Sequence, residues 1–120
     1  MVQIALGADE MFQRAVARRV VFGSELLFTT ANGREYRGFP TGLDEDWIQI
    51  TTTADQTAVW LSLQQIVSME ETGKKIKDFD PVIQEKINKF QGAFKEACIE
   101  AHNKYKLELK KQAKNDKQGE

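Results

Sequence analysis

The feature that most constrains the fold is a run of five short apolar segments between Val20 and Glu71, separated by residues that favour turns. The first, VVFGSELLFTT, alternates apolar and polar side chains with the period of two that is typical of a half-buried strand. Asn32-Gly33 follows it, and both residues tolerate the positive φ of a type I′ hairpin turn. The later segments are REYRGFPTGL, WIQIT, AVWLSL and QQIVSME. The sequence therefore predicts a five-stranded antiparallel meander that ends near Glu71.

A glycine inside the second predicted strand indicates how this sheet is shaped. Gly38 has no side chain, so the strand can bend sharply there or approach another backbone closely. Pro40 lacks an amide donor and suits an edge or a bulge better than a central position. Five short strands that bend in this way close readily into a small barrel, which hides most of the edges that an open sheet exposes.

A short amphipathic helix is predicted before the strands. In ADEMFQRAVARR the apolar residues recur at spacings of one, three and four. The acids stand at the start and the arginines at the end, where each complements the helix dipole. We expect this helix to span Ala8 to Arg19.

A long helix is predicted after the strands, with Asp80 as its N-cap and Pro81 at its first position. It should extend to about Lys114, a length of roughly 50 Å at 1.5 Å per residue. Gly92 within it costs about 1 kcal/mol relative to alanine, which a close helix contact would compensate. Apolar residues step by four and three along one face, as in a heptad repeat: Ile83, Ile87, Phe90, Phe94, Ala97, Ala101 and Tyr105.

This apolar stripe has two interpretations. It packs either within the chain, on the barrel or on the first helix, which is the commoner fate of an amphipathic helix, or on the same stripe of a neighbouring copy. The predicted helix is longer than a small barrel is wide, which favours the neighbour. The candidate contact residues on the stripe are Ile87, Phe90 and Phe94.

The distribution of charged residues changes near residue 73, where the predicted strands are followed by the linker and the long helix. Residues 1–73 carry five Arg, no Lys and ten acids, whereas residues 74–120 carry twelve Lys and eight acids. An acidic first part joined to a lysine-rich second part indicates two modules with different surfaces. We expect a barrel with its N-terminal helix at residues 1–72, a linker at 73–80 and the long helix with a frayed basic end at 81–120.

Composition excludes several classes of protein. A length of 120 residues with 41% apolar and 29% charged residues is typical of one soluble globular unit. The apolar runs are too short to span a bilayer, and residues 1–19 lack the pattern of a secretory signal. A single cysteine, Cys98, cannot form an internal disulfide, which favours a reducing cytoplasm.

The sequence offers no catalytic or metal-binding constellation. His102 is the single histidine and has no second ligand at metal-binding spacing, and Cys98 lies beside the apolar stripe with no base near it. The acidic triple Asp44, Glu45 and Asp46 suits a solvated turn better than a cation site. We expect a protein that is not an enzyme and needs no cofactor or metal.

Spaced landmarks mark the first three strands. An Asn-Gly turn is followed after five residues by a glycine, after six more by an aspartate and then by an apolar pair: Asn32, Gly33, Gly38, Asp44, Trp47 and Ile48. This arrangement resembles the Sm-like family, and within it the bacterial Hfq-like branch. The resemblance covers about residues 8–71 and leaves the long helix unexplained. It implies an α+β fold, with an N-terminal helix and a strongly bent five-stranded Sm-like (SH3-like) barrel, here followed by a long C-terminal helix.

The resemblance also implies a homo-oligomer. In the family, six or seven subunits form a ring in which strand four of one chain pairs with strand five of the next, and such pairing satisfies both exposed edges. The corresponding strands here are AVWLSL and QQIVSM. Their candidate interface residues are Val59, Trp60, Leu61, Ile66 and Val67.

Single-stranded RNA is the ligand that the resemblance implies, held near the turn after strand two and the turn between strands four and five. Where the family has Arg-Gly or Lys-His in the last turn, this chain has Gln64 and Gln65, whose amides can bond a base edge but neutralise no phosphate. The candidate RNA-contacting residues are Asp44, Trp47, Gln64 and Gln65, with Lys106, Lys110 and Lys111 of the long helix.

Two functional hypotheses follow. The first is a non-catalytic, homo-oligomeric Sm-like binding module with RNA as its ligand. The alternative is a protein–protein assembly or adaptor module that has lost the RNA site and uses the long helix to engage partners or to oligomerise. The acidic turn and the missing Lys-His favour the alternative, whereas the ordered landmarks of the strands leave the ligand open.

Overall fold

The computed structural model describes the backbone of residues 8–118 and the side chains of residues 11–111. The order of the predicted elements is confirmed. They are α1 (Ala8–Val21), β1 (Ser24–Thr30), β2 (Glu35–Leu43), β3 (Trp47–Thr52), β4 (Ala58–Ser62), a 3₁₀ turn (Leu63–Gln65), β5 (Ile66–Lys75), a second 3₁₀ turn (Ile76–Asp78) and α2 (Pro81–Gln118).

The five strands form one antiparallel sheet in the order β4-β3-β2-β1-β5. The sheet is strongly bent, and β4 and β5 are its two edge strands. β5 extends beyond its predicted end near Glu71 because it stays paired with β1, with Lys75 opposite Ser24. It therefore occupies the first residues of the segment that the sequence predicts to be a linker.

The predicted close approach at Gly38 is confirmed. A Cβ atom on this residue would lie 2.2 Å from the carbonyl oxygen of Thr51, a distance that no side-chain atom can adopt. β2 and β3 are paired here, with Gly38 opposite Thr52, and their backbones lie too close together for any side chain at position 38. The register between the two strands shifts between Pro40 and Gly42, so the proline lies beside an irregularity, as expected.

The inner face of the bent sheet and α1 form the main core. Leu26 and Phe28 of β1 and Ile48 and Ile50 of β3 are fully buried in one cluster with residues of α1, among them Val16. These residues occupy alternate positions along each strand, as the period of two predicts. The helix thus covers the apolar side of the sheet.

The outer face of β2 packs against the first part of α2. Phe39 is buried and meets the ring of Phe79 edge to face, with 5.8 Å between ring centroids. Ile87 is fully buried, and the side-chain amide of Gln91, also buried, donates a hydrogen bond of 2.9 Å to the carbonyl oxygen of Pro40. Since these contacts lie within one chain, the first part of the apolar stripe packs on its own barrel.

A kink at Gly92 lets α2 change partners. Gly92 has φ 43° and ψ −125°, which is not helical, so α2 consists of two helical segments. After the kink, α2 packs against α1, and Cys98 and Phe94 join the main core. The expectation that a close helix contact compensates this glycine is wrong, because among the described residues no atom of another element lies within 4 Å of its Cβ position. Its positive φ is the reason for a glycine here.

A buried carboxylate links three parts of the sheet. Glu25 of β1 is 1% exposed and accepts hydrogen bonds from the hydroxyl groups of Thr53, after β3, and Thr72, in β5. A buried polar side chain is tolerated when it is hydrogen-bonded in this way. Glu25 thereby holds the ends of β3 and β5 close to β1.

We predict that Gly38→Ala lowers the free energy of unfolding by about 3 kcal/mol or more, because the new methyl group forces apart two backbones that are in contact. Gly42→Ala in the same strand is the matched control, since its Cβ would lie 3.4 Å from the Gln49 side chain. The control should change stability by no more than about 1 kcal/mol. Urea unfolding followed by tryptophan fluorescence measures both, and equal effects would refute the special role of Gly38.

We predict that Gly92→Ala also destabilises the protein, by about 1–2 kcal/mol, because alanine disfavours a positive φ. In a regular helix the same change would instead stabilise the protein by about 1 kcal/mol, so the sign of the effect distinguishes a kink from a continuous helix. Ala93→Gly, at the next exposed position, tests helix propensity alone. A rise in the melting temperature of Gly92→Ala would contradict the kink.

Candidate nucleic-acid interface

The 3₁₀ turn at residues 63–65 connects two other turns of the barrel. The amide of Leu63 donates a 2.9 Å hydrogen bond to the carbonyl oxygen of Asp46 in the β2–β3 turn. At its other end the carbonyl oxygen of Gln65 accepts a 2.8 Å hydrogen bond from Ala31 in the β1–β2 turn. The segment therefore spans the open side of the bent sheet, with Gln64 exposed between the two turns.

The structure brings the four barrel residues of the candidate RNA site onto adjoining segments. Asp44 begins the β2–β3 turn, and its amide donates to the carbonyl oxygen of Trp47 at 2.8 Å. Trp47 pairs with Ser62, the residue before the 3₁₀ turn that carries Gln64 and Gln65. All four side chains are exposed, and the Trp47 side chain keeps 46% of its surface accessible. We call these four residues the barrel-turn surface.

The charge of the barrel-turn surface is negative. The carboxylate of Asp44 accepts a 2.6 Å hydrogen bond from the amide of Glu45, as expected of a residue that shapes its own turn. Glu45 and Asp46 are also exposed. Within the described residues, no group of three or more histidine, cysteine, aspartate or glutamate side chains is arranged to hold a metal ion. Because its three carboxylates are exposed, this turn repels phosphate groups, whereas it does not repel neutral bases.

The lysines of the candidate site lie on a different element. Lys106, Lys110 and Lys111 are exposed on the last part of α2. That part packs against α1, where the Arg14 side chain lies 4.2 Å from the ring of Tyr105 and donates to Glu108 at 3.1 Å. These lysines therefore lie on a different surface from the barrel-turn residues.

Sequence reasoning missed two groups of cations. Arg34 is exposed in the β1–β2 turn, three residues from the contact between Ala31 and Gln65. The arginines of α1 line a groove whose other side is formed by His102 and Tyr105 of α2, more than eighty residues away in sequence. The spacing of the arginines at positions 14 and 18 places them on one helical face, but nothing in the sequence indicates what lies opposite.

The candidate interface residues divide into exposed and buried sets. Trp60 on β4, Val67 on β5 and Phe90 on α2 keep about half of their surface exposed, at 53%, 50% and 49%. The other five contribute to packing within the chain: Val59, Leu61, Ile66, Ile87 and Phe94. Trp60 on β4 and Val67 on β5 are thus exposed large apolar residues at opposite edges of the sheet.

The cysteine and the histidine also have defined surroundings. Burial raises the pKa of the Cys98 thiol to about 11, so the nucleophilic thiolate is scarce at neutral pH. The ring of His102 meets Phe22 edge to face at 5.7 Å between centroids, and its Nε2 atom has no hydrogen-bond partner among the described residues.

These features agree with a known family. The chain belongs to the Hfq-like family, because a family model described as Hfq-like protein matches residues 1–95. The match covers α1, all five strands and the start of α2, and it confirms the resemblance to the Sm-like fold that the strand landmarks indicate. No curated protein matches the chain closely enough to count as a relative. In the described part of the chain, no helix is long and apolar enough to cross a membrane.

Proposed function

We propose that the protein is a non-catalytic, homo-oligomeric Sm-like module that binds single-stranded RNA through the barrel-turn surface. The observation that carries this proposal is the arrangement of an exposed indole and two exposed amides, Trp47, Gln64 and Gln65, on adjoining turns of a barrel from the Hfq-like family. The cytoplasm is the proposed compartment, where the free thiol of Cys98 stays reduced.

The chemistry of this surface suits bases better than phosphates. An exposed aromatic ring such as Trp47 stacks on a base of any identity, which contributes about 1–3 kcal/mol per base. A glutamine amide carries both a donor and an acceptor, so it can pair with the edge of a base. The exposed lysines of α2, Lys106, Lys110 and Lys111, then supply the attraction to phosphates that the acidic turn lacks.

Oligomer formation is proposed through the two edge strands. β4 and β5 each present an unpaired row of backbone donors and acceptors, which a second copy of the chain can pair. Trp60 and Val67, exposed on these strands, would lose their contact with water in such an interface. A ring of six or seven subunits is the form that the family implies.

The adaptor hypothesis remains as a second candidate function. The three exposed carboxylates of the β2–β3 turn, Asp44, Glu45 and Asp46, favour it because they repel RNA. Phe90 supports it as well, since this large apolar residue of the stripe stays exposed on α2 and is available to a partner protein or to a second copy.

We predict that the double variant Gln64→Ala and Gln65→Ala binds a short unstructured RNA about tenfold more weakly, because two amides that pair with base edges are removed. Fluorescence anisotropy at low salt measures the affinity. Asn88→Ala with Asn103→Ala removes two exposed amides from α2 and serves as the matched control. If the wild-type chain shows no RNA binding at low salt, the RNA proposal is wrong and the adaptor hypothesis replaces it.

We predict that the purified chain is an oligomer whose mass falls on Trp60→Glu, because a carboxylate at the β4 edge cannot be buried against β5 of a neighbour. Multi-angle light scattering gives the mass, and circular dichroism verifies that the variant folds. Phe90→Asp should leave the mass unchanged. The reverse result would assign assembly to α2, and a monomeric wild-type chain would exclude both.

A further inference from the structure

The part of α2 beyond the kink carries exposed apolar residues on the side that faces away from α1. Its inner side is marked by Cys98, which is buried, and by Tyr105, whose ring contacts an arginine of α1. Ile99 and Leu107 lie about two turns apart on the opposite side, where they keep 39% and 58% of their surface exposed. We propose that this side of α2 binds the same side of a second copy of the chain, with the two helices antiparallel.

The proposed contact surface is centred on Asn103. Since each residue turns the helix by about 100°, the positions three, four and seven residues to either side of Asn103 lie within about 60° of it. They extend over about 21 Å at 1.5 Å per residue. All of these side chains are exposed. We call them the outer face of α2: Glu96, Ile99, Glu100, Asn103, Lys106, Leu107 and Lys110.

Opposite charges are separated along the outer face. The acidic residues Glu96 and Glu100 come before Asn103, and the basic residues Lys106 and Lys110 come after it. None of the ion pairs formed among the described residues involves these four charged side chains. Two parallel copies would place each charge beside its own equivalent, which is repulsive. Two antiparallel copies place carboxylates beside ammonium groups instead, so the charges select the antiparallel arrangement.

A two-fold axis at Asn103 pairs the whole outer face with itself. A residue that precedes Asn103 in one copy then faces the residue at the same distance after Asn103 in the other copy. The facing pairs are Ile99 with Leu107, Glu96 with Lys110 and Glu100 with Lys106. Asn103 faces its own equivalent, and a polar residue at such a position specifies the register at a cost in stability. Lys95 and Lys111 also face each other, but they lie at the rim, about 80° from the centre, where water and salt screen their charges.

This contact differs from the pairing of the edge strands. It is isologous, because the same residues serve in both copies, whereas the pairing of β4 with β5 joins two different surfaces. The outer face begins at Glu96, just beyond the family match, which ends at residue 95. It shares no residue with the barrel-turn surface. The proposal therefore goes beyond the proposed function, and either can fail without the other.

The first test uses the full chain with Trp60→Glu, so that edge-strand pairing does not contribute to the mass. Multi-angle light scattering over a range of concentrations should show a dimer in exchange with the monomer. Adding Leu107→Asp should leave only the monomer, because the new carboxylate faces Ile99 of the second copy. Val82→Asp is the matched control, since Val82 is 60% exposed on the first part of α2, and it should leave the dimer intact. Circular dichroism verifies that each variant folds.

The second test exchanges one pair of charges in the same background. Glu100→Lys and Lys106→Glu should each weaken dimer formation by about tenfold, because each places like charges together at two points of the interface. The double variant re-forms the pair with its signs reversed, so its affinity should return to within about threefold of the parent chain. An effect of these charges on the helix dipole alone would instead make the double variant the weakest.

The third test locates the two-fold axis by mild oxidation of cysteine variants. Asn103→Cys should give a disulfide-linked dimer, because this residue faces its own equivalent. Ile99→Cys should not, because in an antiparallel pair its equivalents lie about 12 Å apart along the helices, beyond the reach of a disulfide. Cys98 is buried and present in both variants, so it serves as an internal control.

Each outcome supports or overturns the proposal. A dimer of the Trp60→Glu chain that Leu107→Asp dissociates supports it, whether or not the wild-type chain forms a larger assembly. A Trp60→Glu chain that is monomeric at every concentration overturns it, as does a dimer that resists Leu107→Asp or that Val82→Asp also dissociates. Equal cross-linking of Ile99→Cys and Asn103→Cys would indicate parallel helices and would also overturn it.

Discussion

The contact between Gly38 and the carbonyl group of Thr51 is the constraint on which the rest of the structure depends. Because residue 38 has no side chain, the backbones of the paired strands β2 and β3 approach closely, and such a glycine permits the sheet to bend sharply. The bend encloses the inner face around Phe28 and Ile50, which α1 then covers. It also leaves an open side, which the 3₁₀ turn at residues 63–65 spans.

The long helix does more than extend a small barrel. Its first segment packs on the outer face of β2, where Gln91 donates to the carbonyl oxygen of Pro40, and its second segment packs against α1 beside the inner core. One element thus contacts both sides of the sheet, and this is possible because Gly92 changes its direction. The family match ends at residue 95, three residues after the kink. The two α2 residues that line the groove opposite α1, His102 and Tyr105, therefore lie outside the family match.

Much of the fold could be predicted from the sequence, because its signals are local. The period of two located the strands, and Asn32-Gly33 and Gly38 marked a turn and a close backbone contact. The choice among the partners of α2 could not be made from the sequence, since a heptad stripe has the same spacing whether it packs on its own barrel, on the first helix or on a neighbour. Gly92 was assigned a helical conformation because the apolar stripe continues with the same spacing on both sides of it. The groove was missed because the two helices that form it are far apart in sequence. Arg14 of α1 and Glu108 of α2, which are hydrogen-bonded, are 94 residues apart, and only the folded chain brings them together.

The placement of β4 and β5 at opposite edges has a consequence for how copies can be joined. Pairing one edge with the other uses two different surfaces, so each contact is heterologous and repeats with a fixed rotation. A rotation that divides a full circle evenly closes the assembly, and any other rotation generates an open filament. Because β2 lies between the two edges in the sheet, its bend would contribute to the angle between them and so to the number of copies in a closed assembly.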